Sequence, residues 1–160
     1  MLTDELSPLD FTSAVTLLGD AMSRVVLQAL EGTGLRHAHG YLIQRLLVAP
    51  ATATEIAADL GITQQAVSKS VKELVTLGLV EFVQDTKDNR RRPVQLTKQG
   101  RQAVDISRQT RRAIDQRIRH ALGDQDFDHT FQALAAVIDT FGLATAVQRR
   151  TVPPPTPDLL

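Results

Sequence analysis

Four cations, Lys87, Arg90, Arg91 and Arg92, fall within six residues of a chain whose formal charge is zero, 18 basic against 18 acidic side chains. Such a cluster can neutralise phosphate or an acidic surface locally while the molecule as a whole attracts neither. Upstream, advancing each residue by about 100° from Gln64 puts Gln64, Gln65, Ser68, Lys69, Lys72 and Thr76 within an arc of about 140°. Amide, hydroxyl and ammonium groups along one helix face are the groups that read base edges: Gln pairs bidentately with adenine, Lys donates to guanine, and Ser serves several bases. Gln64, Gln65, Ser68 and Lys69 are placed to reach bases, with Lys72 and Thr76 further along the helix as phosphate contacts.

The elements that must position these groups follow from local signals. Thr52 and Glu55 match a capping box, so a short helix begins at Ala53, turns Ile56, Ala57 and Leu60 inward and breaks at Gly61. Thr63 is the N-cap of the next helix, which runs to about Leu77 with Ala66, Val67, Val71, Leu74 and Leu77 opposite the polar face. Two short helices joined at a glycine form a helix-turn-helix, whose second helix enters the major groove of DNA. On its own, a polar helix face more often meets only water. The segments Leu79 to Gln84 and Pro93 to Thr97 alter that balance, because they form a hairpin whose tip carries the cationic cluster. Pro93, lacking an amide hydrogen, belongs at the strand entrance or on an edge. A helix-turn-helix followed by a basic-tipped hairpin is a winged helix, and the tip can straddle a phosphate backbone or enter the minor groove.

The stretch TEIAADLGITQQAVSKSVKELVTLGLVEFVQDTKDNRRRPVQLTKQG, Thr54 to Gly100, resembles the MarR (multiple-antibiotic-resistance regulator) family of transcription factors; Asp88-x-Arg90 followed by Leu96-Thr97-x-x-Gly100 is similar to that family's wing signature. The resemblance implies a wing arginine in the minor groove, carried here by Arg90, and a bracing carboxylate, Asp88. The extra Arg91 leaves open which of Arg90 and Arg91 inserts. It further implies a homodimer on a pseudo-palindromic double-stranded DNA site. A small aromatic or anionic effector is expected in a cleft between the dimer and DNA-binding regions, lined by Arg36, His37 and Tyr41, and its binding would change the spacing of the two recognition helices.

The flanking segments are helical. Phe11, Val15, Leu18, Met22, Val25, Val26 and Leu30 recur at helical spacing up to Gly32 and Gly34. A second helix is expected from about His37 to Val48, with Tyr41, Leu42, Leu46 and Leu47 on its buried side. A basic helix runs from Thr97 to about Ala121, and a last helix carries a seam of Phe127, Phe131, Leu134, Ile138 and Phe141. The seam and the first helix hold more apolar surface than a small winged-helix core can cover. The expected fold is therefore mainly α (α+β). It divides into an N-terminal dimerisation helix (1–36), a winged helix-turn-helix (37–97), C-terminal dimerisation helices (98–148) and an unstructured Pro-rich tail (149–160).

Other chemistries find little support. Cysteine is absent, removing thiolate nucleophiles and disulfides, and a 4% aromatic content gives poor stacking surfaces for single strands. The N-terminal stretch MLTDELSPLD is acidic where a secretory signal starts basic, and no apolar run reaches the length of a membrane span, so a cytoplasmic protein is expected. His37 and His39 could bind a metal, but no second pair of ligands is near in sequence, and both read better as solvent-facing residues. Asp124, Asp126 and Asp128 imitate a calcium loop that fails at His129 and Ala135 and instead suit a helix N-terminus. GTG at 32–34 fits no phosphate-binding spacing. No metal, cofactor or enzymatic activity is expected. Arg108, Arg111, Arg112, Arg117 and Arg119 read as a solvated face paired with Asp105 and Asp115. Two alternatives to a DNA-binding regulator are a winged-helix module that meets an acidic protein, and a ligand-binding dimer without DNA binding.

Overall fold

A computed structural model of the chain describes residues 9–84, 88 and 90–145. Lys87 and the Pro-rich tail at 149–160 lie outside the described residues. Six α-helices and one hairpin follow in order: α1 (Phe11–Ala29), a 3-10 turn (His37–His39), α2 (Gly40–Leu46), α3 (Ala53–Leu60), α4 (Gln64–Thr76), β1 (Val80–Phe82), β2 (Val94–Leu96), α5 (Lys98–Leu122) and α6 (Asp124–Thr140). The second helix is thus shorter than expected, because its first turn is the 3-10 turn. There the His39 ring folds back to accept the Arg36 backbone N–H at 3.3 Å.

Capping residues set the helix starts. Thr52 accepts the Glu55 N–H while the Glu55 carboxylate accepts the Thr52 N–H at 2.8 Å. Thr63 accepts the Ala66 N–H at 3.2 Å, and Asp10 accepts that of Ser13 at 2.9 Å. Gly61 ends α3 at φ 66°, in the left-handed region that glycine enters without a Cβ clash. Thr97 caps α5 through the Gly100 N–H at 3.0 Å and donates its hydroxyl to the Gly78 carbonyl at 2.7 Å, tying the helix start to the turn before β1.

β1 and β2 pair antiparallel, Val80 with Leu96, Glu81 with Gln95 and Phe82 with Val94. An isolated bridge joins Val94 to Ala51 on the other edge of β2. Pro93 stands just before β2, where its carbonyl accepts the Val83 N–H at 2.9 Å.

One apolar core joins these parts. Ile56, Val67, Leu74 and Leu79 are wholly buried, and Val26, Leu30, Leu42, Leu46, Val94, Leu96 and Val104 complete it from α1, α2, β2 and α5. Ala66, expected inward, is exposed in the first turn of α4. Full burial ends at Val104: further along α5 only the half-buried Ile114 packs against the core, and α6 has no buried residue. α1 packs on α5 and α5 on α6. Many of the apolar side chains on these helices and just after α6 stay open, with Phe11 at 62% and Phe131 at 65% exposure and Val15, Leu18, Leu134 and Phe141 also exposed.

Candidate functional site

The polar side of α4 faces away from the core because Val67, Val71 and Leu74 hold its other side down. Thr63, Gln64, Gln65, Lys69 and Lys72 are exposed and Ser68 is half-buried. Beside this face a groove of about 450 Å³ separates α4 from the wing. Gln64, Ser68 and Lys72 line it from α4, Arg90, Arg91 and Arg92 from the wing, and Thr52 and Thr54 from the start of α3. Gln65 and Lys69 stand outside the groove, on the open part of the helix face. The arrangement has cations on both walls and the amino end of α3 at its edge, as an anionic polymer backbone would require.

Two wing arginines differ in their tethers. Arg91 forms an ion pair with Glu55, the capping carboxylate of α3. Arg90 gives its backbone N–H to the Asp88 carboxylate at 2.9 Å, and its guanidinium has no ion-pair partner among the described residues. The Thr52 backbone N–H, the Thr52 hydroxyl and Arg91 together hold the Glu55 carboxyl below the usual range. In sequence Glu55 is marked only as a cap residue, and nothing short-range marks its second partner, 36 residues away.

Arg36, His37 and Tyr41 are among the residues that line a second cavity of about 290 Å³, between α1, the 3-10 turn, α2 and α5. Val26, Leu30, Ile43 and Val104 give it apolar walls, and Ser107 and Arg111 add polar groups from α5 that the sequence did not single out. Arg111 donates to the Ser107 hydroxyl.

His39 is not solvent-facing, as expected from sequence, but buried at 1% exposure. A backbone N–H can only donate, so His39 Nδ1 accepts that of Arg36 and Nε2 carries the hydrogen that faces Glu73 Oε2 at 3.0 Å. The Arg36 guanidinium pairs with the same Glu73 oxygen. Hydrogen bonds from His39 and then Arg36 hold the Glu73 carboxyl below its ordinary range. Among the described residues, no three His, Asp or Glu side chains cluster to hold a metal ion.

The arginine face of α5 pairs differently from expectation. Arg119 bonds Asp124 at 2.9 Å and Asp128 at 3.0 Å and lies 4.1 Å over the Phe127 ring. Asp124 and Asp128 therefore close the corner between α5 and α6, because the turn at Gly123 brings the start of α6 back onto Arg119. Among the described residues, no helix is long and apolar enough to cross a membrane.

Residues 33–91 match the model of the MarR family. No curated protein sequence matches the chain. Solved structures share its fold. YusO from Bacillus subtilis is 21% identical and superimposes with a TM-score of 0.68 over 85% of this chain and 96% of its own. MepR from S. aureus in complex with DNA is 20% identical, with a TM-score of 0.69 over 81% of this chain and 98% of its own. The transcriptional repressor CouR bound to a 23-mer DNA duplex is 23% identical, with a TM-score of 0.60 over 84% of this chain and 96% of its own. MepR has also been solved bound to ethidium bromide. At these identities the likeness carries the fold, a winged helix flanked by long helices, which is the architecture expected from sequence.

Proposed function

We propose, from the premise that residues 33–91 belong to the MarR family and that the flanking helices complete its fold, that this chain is a homodimeric, ligand-responsive regulator that binds double-stranded DNA sequence-specifically. The observation that carries this is the groove in which Arg90, Arg91 and Arg92 face Gln64, Ser68 and Lys72 across a width lined by the start of α3. A phosphate backbone laid in that groove would put the exposed end of α4, with Gln65 and Lys69, over base edges and the wing tip over the adjoining minor groove. The solved DNA complexes of MepR and CouR, which share the fold, support the same use of these elements.

Residues 1–36 and 98–148 serve as the dimerisation region and 37–97 as the DNA-binding domain. The exposed apolar residues Phe11, Leu18, Phe131 and Phe141 favour a second copy, since so much open apolar surface is otherwise left in water. Two such chains related by a two-fold axis would read half-sites about one helical turn apart on a pseudo-palindromic duplex. The cavity at Arg36, His37 and Tyr41 takes a small aromatic or anionic effector, acting as a repressor's inducer site; the ethidium-bound MepR structure supports a ligand role for this fold. The protein works in the cytoplasm, and catalysis plays no part in this role.

The test is a gel-shift titration of the purified chain against the duplex upstream of its own gene. Site-specific, salt-sensitive shifts are expected. A neutral overall charge favours the rival, a module whose wing meets an acidic protein, only if no shift appears even at low salt.

A further inference from the structure

The Arg36 side chain belongs to two places at once. It lines the cavity of about 290 Å³, and its guanidinium pairs with Glu73 on α4. Given an effector in that cavity, as proposed above, we infer that the Arg36–Glu73 pair is a latch between cavity and recognition helix, and that an anionic occupant opens it by drawing Arg36 away from Glu73.

Three features of the geometry support this. The Arg36 side chain is 62% exposed, so apart from the Glu73 pair itself only water and its own rotamers resist its swing toward the cavity. Its partner is held from beneath by His39, which stays in place because its ring is buried and both nitrogens are engaged, Nδ1 by the Arg36 N–H and Nε2 by Glu73. Arg111 supplies a second guanidinium to the same cavity, where its Ser107 contact positions it from α5. A carboxylate between the two cations gains charge-assisted hydrogen bonds that an uncharged molecule of the same shape cannot make.

An exposed ion pair contributes little to stability, so its loss leaves the fold intact. Its effect is positional. Glu73 sits nine residues along α4 from Gln64, about 14 Å at the helical rise, and a 13-residue helix pivots as a unit. Releasing one of the two anchors on Glu73 loosens that end from the cavity wall, so that α4 shifts together with α3 and the hairpin it is packed against and its polar face is re-aimed. By linkage, DNA and the anion must then weaken each other's binding by the same factor, here about fivefold, the low end of usual couplings because the pair is exposed.

Benzoate, with benzamide as its neutral counterpart, is the probe. Calorimetry on the full chain should show benzoate binding Glu73→Gln about fivefold tighter than the unmodified protein, while benzamide binds both alike. The Gln keeps its hydrogen bonds to His39 and Arg36 but no longer competes as a charge. Equal benzoate affinities would overturn the latch and leave the effector cavity standing; no benzoate binding to either protein would overturn both. This measurement needs no DNA, so it decides the latch even where the regulator proposal fails. A second arm needs no effector. Duplex affinities of Arg36→Met, Glu73→Gln and the double variant should be non-additive, with Arg36→Lys restoring most of the coupling. Strict additivity would sink the latch whatever benzoate does.

Discussion

Arg91 of the wing and Glu55 of α3 form an ion pair, and the same carboxylate accepts the Thr52 N–H at 2.8 Å and the Thr52 hydroxyl at 2.9 Å. One side chain thus closes a helix start and tethers the wing. It also separates the roles of two adjacent arginines, since the Arg91 charge is already met while that of Arg90 is not met by any described carboxylate.

Arg90→Ala should therefore weaken duplex binding across all sequences and lower the salt slope by about one unit, the loss of one phosphate-region cation. Arg91→Ala should lower the slope by less, because Glu55 already offsets its charge. Fluorescence anisotropy at a series of salt concentrations checks both. An unchanged slope for Arg90→Ala, with a full unit lost in Arg91→Ala, would reverse the assignment.

Gln65 and Lys69 are exposed outside the groove, on a part of α4 left open among the described residues. Their replacement by Ala should re-rank a panel of variant duplexes by about 1–3 kcal/mol at the bases they read. If every duplex weakens equally, these side chains contact phosphate instead.

Gly100 is buried where α5 crosses the turn before β1. A methyl there overlaps the Leu79 carbonyl oxygen and comes within 3.2 Å of Leu96 Cδ2. Alanine's better helix propensity would return up to about 1 kcal/mol. A backbone oxygen cannot move aside as a flexible side chain can, so the clash wins. Gly100→Ala should cost about 1–3 kcal/mol, read as a lower urea midpoint at unchanged slope. No loss would mean that α5 is free to slide.

The carboxyls of Glu55 and Glu73 titrate below the ordinary glutamate value of 4.5 in the folded chain. A depressed carboxyl stabilises the fold fully above that value, and the contribution is lost as pH falls through it toward the folded value. Urea midpoints should hold steady from neutral pH down to about pH 5 and then decline. Replacing both glutamates with Gln should make the decline shallower; an equally steep decline would place the acid sensitivity in other groups.

Signals that act over three or four residues were readable from sequence, and those that act across the fold were not. The Thr52–Glu55 cap, the Thr63 cap and the inward set Ile56, Ala57 and Leu60 are local patterns, and the structure forms them as expected. His39 looked solvent-facing because its partner, Glu73, lies 34 residues away. Sequence spacing pairs Arg119 with carboxylates on its own helix, whereas the turn at Gly123 offers it Asp124 and Asp128. Arg36, His37 and Tyr41 do line one cavity, but its α5 wall, with Ser107 and Arg111, arrives from the other side of the hairpin. The signature Leu96-Thr97-x-x-Gly100 acquires a physical content that sequence could only match by likeness: a buried strand end, a cap and a close backbone crossing.

Val94 shares its hydrogen bonds with two neighbours. Its register partner in the hairpin is Phe82, while its N–H and C=O bond the C=O and N–H of Ala51 at 2.9 and 3.1 Å. The loop into α3 and the root of the wing are thus riveted at one residue, and α4 is packed on α3. Mechanically, α3, α4 and the hairpin form a rigid block that can be carried but not reshaped without breaking this joint. Any change in the distance between two such blocks must be taken up outside it, in the long helices.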